Sequence, residues 1–575
     1  MKTLGINAAF HDSAACLVDD GHVVAAAEEE RFTQIKHGKR PVPFSAWELP
    51  FHAIDYCLGE GGIGIDDVDH VAYSFEPGLF VNGSGLPSTI ALPLEPSAIR
   101  VPTDNAPWDP LFLSYVINAP RQLAGGAPHH LQARLRSAGN APRWSWHYVP
   151  HHLAHQASAF LAAPFDECAV LTLDGRGENT STQYGVYRDG HYERLSEVPL
   201  PHSLGLLYED VTRHLGFLHS SDEYKVMALA SFGTPRFVDA LRRRVRWHGD
   251  GRYAVDAVPF AEFCPPRKRG DAFLPVHADV AHAVQRVLEE TVLEITKWLR
   301  GVTGSTHLAM AGGVALNCVM NGFLRDSNVF DDIWIQPAAG DAGTALGAAL
   351  WIDREARGGD RGTHQFRMEH AYLGPQFSES EIEAALRHAR ASYRKPDDLP
   401  QTIAGHLARD RIIGWFQGRM EFGPRALGAR SILASPLHAE MQARLNELKD
   451  REDFRPVAPA VLEEAAGDWF ENCTHSPFML FVHRVPPARR AAIPAACHAD
   501  GTARVQTVSR DVNPLYHATI AAFARRTGVP MVINTSFNTR GKPIVCTPRD
   551  ALECFFASPI DVLAIGPCVI EKAAP

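Results

Sequence analysis

The chain has no CxxC pair and no regular cysteine spacing; its ten cysteines are scattered over 575 residues. That scatter excludes a disulfide framework and a zinc ribbon. No continuous apolar run is long enough to cross a bilayer. The opening "MKTLGINAAFHDSAACLV" lacks the basic, apolar, cleavable pattern of a signal segment and reads as strand and turn. Basic residues are not in excess: 56 Lys and Arg against 66 Asp and Glu leave a net charge of −10. That balance argues against a general nucleic-acid or membrane-surface partner. What remains is the composition of a soluble, cytoplasmic protein, long enough for two large domains with real cores.

The opening stretch reads strand, polar turn, strand, Asp20-Gly21 hairpin, strand. "CAVLTLDGRGENTSTQYGVYRDGHYERL" repeats this grammar, with a strand to Asp174 and an Asp189-Gly190 hairpin. Two such units predict a duplicated, actin-like ATPase fold, in which each half grips phosphates with a turn. Residues 76–145 are rich in Pro, Gly and Trp without periodicity and read as an insertion or lid. "AHAVQRVLEETVLEITKWLRGV" predicts an amphipathic helix, with Val284, Leu288, Val292, Ile295 and Leu299 along one stripe. "DREARGGDRGTHQF" is the best linker. It sets the expected domains at 1–365 and 366–575, the second of mixed α/β character.

"VPHHLAHQASAF" places three histidines within five positions. On a helix, His151 and His155 at i, i+4, or His152 and His155 at i, i+3, can share one metal ion. Asp174, ending a strand, and Asp341, in the small-residue run "PAAGDAGTALGAA", are the acids most able to join them. Two imidazoles and two carboxylates suit Fe(II), Mn(II) or Zn(II). The glycine turn from Gly312 and Gly313 to Asn317 stands between strand and helix, where backbone N–H groups can hold a nucleotide. Gly175, in the turn after Asp174, and Lys225, in "SDEYKVMALASFG", are further candidates for the same ATP cleft.

In the C-terminal half, "FQGRMEFGPRALGARSIL" interleaves glycines with Arg419, Arg425 and Arg430, and "LKDREDFRPVAPA" adds Lys449, Arg451 and Arg455. Guanidiniums beside glycines suit phosphate oxygens. "VINTSFNTRGKPI" ends an apolar strand in Asn534, Thr535, Ser536 and Asn538, donors suited to a carbonyl or amide, and Arg504 could complete the pocket. A small acyl phosphate matches this inventory.

These motifs resemble the NodU/CmcH-type O-carbamoyltransferases, which carbamoylate antibiotics and nodulation factors. "FHDSAACLVDDG", "AAAEEERFTQIKHG", "PHHLAHQASAF", "LTLDGRGE", "YKVMALASFG", "AGGVALNCVMNG", "QGRMEFGPRALGARSIL", "KDREDFRPVAP" and "NTSFNTRGKPIV" carry the likeness, in order, over nearly the whole chain. The resemblance implies an N-terminal domain similar to the tRNA threonylcarbamoyl-transferase branch of actin-like ATPases, joined to a smaller YrdC-like domain. It implies that His151, His155, Asp174 and Asp341 hold an iron-type divalent metal, with His152 outside the ligand set. It implies that Lys449, Arg504 and Ser536 bind carbamoyl phosphate, with Arg419, Arg425, Arg455 and Asn534 in company. His11, followed by Asp12, falls where the acceptor hydroxyl is expected. The implied chemistry takes carbamoyl phosphate through carbamate and carbamoyl-adenylate, with ATP as co-substrate, to a hydroxyl-bearing small molecule. A tRNA-modifying relative and a non-catalytic ATP-binding regulator are the alternatives. The net charge argues against the first and the intact ligand set against the second.

Overall fold

The computed structural model describes residues 1–38, 49–84, 110–125, 143–359 and 366–572. Its first half is built from two five-stranded sheets of identical plan. In the first, β1 (Lys2–Asn7), β2 (Ala14–Asp19) and β3 (His22–Glu28) run antiparallel, and β4 (His70–Tyr73) and β5 (Ser145–Tyr148) extend the other edge in parallel, giving the order β3-β2-β1-β4-β5. In the second, β6 (Cys168–Leu173), β7 (Thr180–Arg188) and β8 (His191–Pro199) form the meander. A small β9–β10 pair (Val245–Trp247, Tyr253–Val255) follows, and β11 (His307–Ala311) and β12 (Asp332–Ile335) then add in parallel to β6. The order β12-β11-β6-β7-β8 is that of the first sheet, read from the other edge. This is the duplicated, actin-like ATPase architecture that the repeated grammar predicts. Asp20 and Gly21, and Asp189 and Gly190, all have positive φ, the conformation that a two-residue hairpin turn matched to strand twist requires.

Two helices lie between the sheets and exchange partners. The helix His151–Phe160 follows β5 of the first sheet and leads into β6 of the second. The helix Ala342–Ala356 follows β12 of the second and packs on β1 and β2 of the first. The two touch backbone to backbone: a Cβ on Gly347 would stand 1.8 Å from the Ala154 carbonyl oxygen. Small residues therefore draw the N-termini of both helices to one point. The amphipathic stripe lies in the longer helix Pro275–Thr303, with Val284, Leu288, Val292, Ile295 and Leu299 buried.

The C-terminal part is an additional α/β domain. Strands β13 (Ile413–Phe416), β14 (Arg430–Ala434), β15 (Ala458–Leu462), β18 (Gln506–Val508), β19 (Met531–Ser536), β20 (Val562–Ile565) and β21 (Cys568–Glu571) form one mixed sheet in the order β18-β15-β19-β14-β13-β20-β21. A pair, β16 (Val482–Arg484) and β17 (Thr502–Arg504), stands beside it. The expected lid at 76–145 falls mostly outside the described residues; helices Pro77–Ser84 and Pro110–Gly125 belong to it. The expected linker starts within the helix Ala342–Ala356, and its residues 360–365 are likewise outside. All ten thiols are free. Among the described residues no helix is long and apolar enough to cross a membrane.

Candidate active site

The two helix N-termini and the turn after β6 bring four ligating side chains together. Nε2 of His151 lies 3.5 Å from Asp174 Oδ2 and 3.6 Å from Asp341 Oδ1, and Nε2 of His155 lies 3.7 and 3.5 Å from the same two oxygens. All four side chains are buried. Both Nε2 atoms are buried without a hydrogen-bond partner. Ligand atoms about 2.1 Å from a common centre stand about 3.4 Å apart in a tetrahedron, so the cluster has the spacing of a cation's donor set. Burial disfavours charge on His151, yet Asp341 and Asp174 hold its pKa well above the imidazole range. Burial likewise opposes ionisation of both carboxyls, but the facing histidines keep Asp174 and Asp341 ionised, well below the usual carboxylate range.

The choice that spacing left open falls to His151 and His155. His152 turns aside to share a 2.8 Å hydrogen bond with Thr180 Oγ1, and its Nε2 is 3.9 Å from Asp174. Burial lowers its pKa. Neighbouring groups fix the ligands. His151 Nδ1–H donates to the Ser74 carbonyl, leaving Nε2 to face the carboxylates. Glu178 Oε1 accepts the backbone N–H groups of His151 and Glu76, each at 2.8 Å, and so pins the start of the histidine helix. Gly313 N–H donates to Asp174 Oδ1 at 2.9 Å. Gly312 has φ 94° and leaves no room for a Cβ, which would meet the Leu173 carbonyl oxygen at 2.2 Å. Glu178 and Thr180 went unread in the sequence because nothing local marks them; only the turn 174–180 brings them to the helix.

The turn after β1 enters the same cluster. His11 Nε2 is 3.7 Å from Asp341, and His11 Nδ1–H donates to Asp12 Oδ2 at 2.9 Å. Burial opposes charge on His11, but Asp341 and Asp12 outweigh it and raise its pKa to about 10. The other oxygen of Asp12 accepts a 2.7 Å bond from His37 Nδ1–H, and His37 Nε2 meets Ser221 Oγ at 2.8 Å. The remaining residues read as ATP-binding are near this region but differently engaged. Gly175 packs against Gly205 and faces Glu209. Asn317 caps the helix Cys318–Asp326 while its amide is locked to Gln285. Lys225 pairs with Asp222 and, across to the C-terminal domain, with Glu452, each at 3.1 Å.

The C-terminal residues form a second, cationic site. Lys449 Nζ donates to Ser536 Oγ (2.9 Å), the Ser536 carbonyl (2.5 Å) and Asn538 Oδ1 (2.6 Å). Burial, then Arg451 and Arg455, push the Lys449 ammonium well below its ordinary pKa. Burial and the Arg504 guanidinium lower Arg425 to about 9, and burial with Arg455 and Arg504 does the same to Arg451. Guanidiniums stay charged in proteins, so these shifts register burial first and mutual repulsion second, with Glu452, 3.7 Å from Arg455, offsetting part of the charge. Nε of Arg425 and of Arg504 is buried without a hydrogen-bond partner. Arg455 stacks 4.7 Å over the Tyr224 ring, which the N-terminal domain contributes. Asn534 donates to the Ala426 carbonyl and to Gln506 Oε1, which leaves its buried Oδ1 without a partner.

Arg419 and Arg430 are spent elsewhere. The Arg419 guanidinium donates to the carbonyls of Val24, Leu373 and Gly374 and to Tyr56, joining the two domains. Arg430 is fully buried, donates to the carbonyls of Gln417, Gly418, Ala429 and Pro375, and stacks 3.7 Å over Phe416. Arginine–glycine alternation reads the same whether the guanidinium meets a ligand or the protein's own carbonyls, so the sequence grouped them together.

The family model for the carbamoyltransferase N-terminus matches residues 2–80 and 131–350, and that for the carbamoyltransferase C-terminus matches residues 404–572. An uncharacterized protein of Synechocystis, sll1178, is 39% identical over 99% of this chain and 97% of its own. Nodulation protein NolNO of Sinorhizobium fredii is 36% identical over 98% of this chain and 80% of its own. Nodulation protein NolO of Bradyrhizobium diazoefficiens is 41% identical over 73% of this chain and 78% of its own. Both the matched models and these relatives lead to one conclusion: the chain belongs to the carbamoyltransferase family.

Proposed function

We propose that the protein is an ATP-dependent O-carbamoyltransferase that takes its carbamoyl group from carbamoyl phosphate and delivers it to a hydroxyl of a small-molecule acceptor. Family membership supports carbamoyl transfer as such. The observation that carries the finer reading is the C-terminal pocket, where Arg425, Arg451, Arg455, Arg504 and Lys449 crowd one another and Glu452, 3.7 Å from Arg455 and shared with Lys225, is too little negative charge to match five cations. A phosphate dianion relieves that repulsion, and the free Oδ1 of Asn534 is suited to accept from the carbamoyl NH2. Lys449 and Ser536 are suited to the oxygen between phosphorus and carbon. Free thiols throughout are compatible with the cytoplasm, where ATP is made.

The proposed reaction has three steps. Carbamoyl phosphate and water give carbamate and phosphate; carbamate attacks the α-phosphorus of ATP and displaces pyrophosphate; the acceptor hydroxyl attacks the carbamoyl carbon and AMP departs. The turns carrying Gly175, Gly312 and Gly313 border the cluster and are the expected seat of the nucleotide. His151, His155, Asp174 and Asp341 would hold a divalent cation, Fe(II) by family resemblance with Mn(II) or Zn(II) compatible with the same donors, and its chemistry is neutralisation of phosphate charge. His11, oriented by Asp12, is placed to take the acceptor's proton. Positive charge shared by Asp174 and Asp341 would offset the carboxylate field that now keeps His11 protonated.

The test is pyrophosphate release from the purified chain with ATP, Fe(II) and carbamoyl phosphate, each omitted in turn. Release should need both ATP and carbamoyl phosphate and should be lost in His155→Ala and in Lys449→Ala. Release from ATP alone, or none from folded protein that binds ATP, would overturn the reading.

A further inference from the structure

Glu452 has no use in the binding of phosphate: it is an acid set among the cations of the C-terminal pocket. The turn that carries it also carries Lys449, Arg451 and Arg455, and buried Asn446 holds that turn in shape. Asn446 Nδ2 donates to the carbonyls of Asp453 (3.0 Å) and Arg455 (3.1 Å), and its Oδ1 accepts from Arg451 Nε at 2.6 Å. Three acids lie in this turn. Asp450 is 72% exposed and pairs with Arg540 at the surface, and Asp453 is exposed too. Glu452 alone of the three turns an oxygen inward: its Oε2 is buried and without a hydrogen-bond partner.

A counter-ion is the competing use of this carboxylate. Oε1 serves that end, accepting from Lys225 Nζ at 3.1 Å. Oε2 does not: Arg455 Nη1 stands 3.7 Å from it, beyond hydrogen-bond reach, and that guanidinium stacks on Tyr224. Lys225 and Tyr224 belong to the N-terminal domain, so contact between the domains fixes Glu452 with one oxygen spent and one spare. Burial opposes its ionisation, but its own backbone N–H, Lys225 and Arg455 outweigh burial and hold its pKa below the usual carboxylate range. The spare oxygen is therefore an acceptor. Nη2 of Arg451, like Nε of Arg425 and of Arg504, is a buried donor atom without a partner. Spare acceptor and spare donors in one pocket are the two kinds of group that hold a water beside an anion.

We propose that Glu452 is the general base of the first step, its Oε2 holding and deprotonating the water that attacks the carbamoyl carbon of carbamoyl phosphate. This rests on the donor in the function proposed above and assigns the residue that opens it. The bond between the water oxygen and the carbamoyl carbon forms, and the bond from that carbon to the bridging oxygen breaks. Phosphate leaves with the bridging oxygen, toward Lys449 and Ser536. One water proton goes to Glu452 and on to solvent, the other ends on the departing phosphate, and carbamate remains as the anion. The charge of the bound phosphoryl group strengthens a carboxylate beside it as a base, toward the range in which a base works at neutral pH.

The test compares the full wild-type chain with Glu452→Gln, whose amide keeps the shape and an accepting oxygen but cannot take a proton. Phosphate release from carbamoyl phosphate, with ATP and Fe(II) present and the spontaneous rate subtracted, should fall about 10²-fold or more in the variant. Inorganic phosphate, titrated by calorimetry, should bind Glu452→Gln at least as tightly as wild type, because a repelling charge is gone. A structural counter-ion would instead leave release near normal, or lower it together with phosphate affinity; either result overturns the proposal. In water enriched in heavy oxygen the released phosphate should carry no label, and label there would move the attack to phosphorus and overturn the step. A wild type that binds phosphate yet releases none from carbamoyl phosphate would overturn the donor reading and this base with it. Normal release in Glu452→Gln would remove the base alone and leave the transferase reading standing.

Discussion

Lys449 shows how one side chain ties fold to chemistry. Its ammonium is buried among guanidiniums, and burial with these neighbours depresses its pKa. A dianion beside it favours the charged form and raises that pKa. At a pH between the free and the phosphate-bound values, binding of inorganic phosphate should therefore take up protons, visible as a calorimetric enthalpy that changes with the ionisation heat of the buffer, and the uptake should vanish in Lys449→Met. Between the depressed folded pKa and the unfolded one, the unfolded chain holds more protons at this position, so its contribution to stability rises with pH across that window. The ordinary spacing of "LKDREDFR" marked Lys449 as basic, but not that it would be crowded by its own neighbours.

The helix His151–Phe160 owes its place to contacts at both ends of its first turns. Gly347 lets the helix Ala342–Ala356 approach it at backbone distance, and Glu178 holds its first N–H. Glu178→Ala should weaken divalent-ion binding by about 10–100-fold, the usual cost of losing a group that orients a ligand. Glu178→Gln, which keeps an accepting oxygen, should stay near wild type. Metal titration followed by elemental analysis of dialysed protein separates the two. Equal affinities in Ala and wild type would mean that the sheet contacts alone hold the helix.

Across the molecule, the domains are joined by charged groups that serve different ends. Arg419 clamps the carbonyls of Val24 and Leu373, whereas Arg425 stands in the cationic pocket with an unpartnered Nε. Phosphate at about 100 times its dissociation constant should stabilise the wild type by about 2.7 kcal/mol. Arg419→Ala should lower the unfolding temperature, at a cost of about 2–3 kcal/mol for the lost charged hydrogen bonds, and keep the phosphate-induced rise. Arg425→Ala should lose most of that rise while leaving the unliganded protein as stable or more so, since a repelling charge is gone. Thermal unfolding of the three proteins with and without phosphate reads both effects, and a phosphate response intact in Arg425→Ala would remove it from the pocket.

Local chemistry decided much in advance. Asp-Gly pairs between apolar runs dictate the two hairpins because their backbone must turn with positive φ, and the period of Val284 to Leu299 dictates a helix because side chains repeat along one face. Histidines at i, i+4 and acids at strand ends narrowed the metal set to a few residues. The tertiary structure decided what spacing could not: that His155 partners His151 because Thr180 holds His152 away, that Arg419 and Arg430 satisfy carbonyls while Arg425 and Arg504 face the pocket, and that His37 and Ser221 meet at all. Each of these depends on groups far apart in the chain, and a one-dimensional pattern carries only the geometry that the backbone transmits over a few residues.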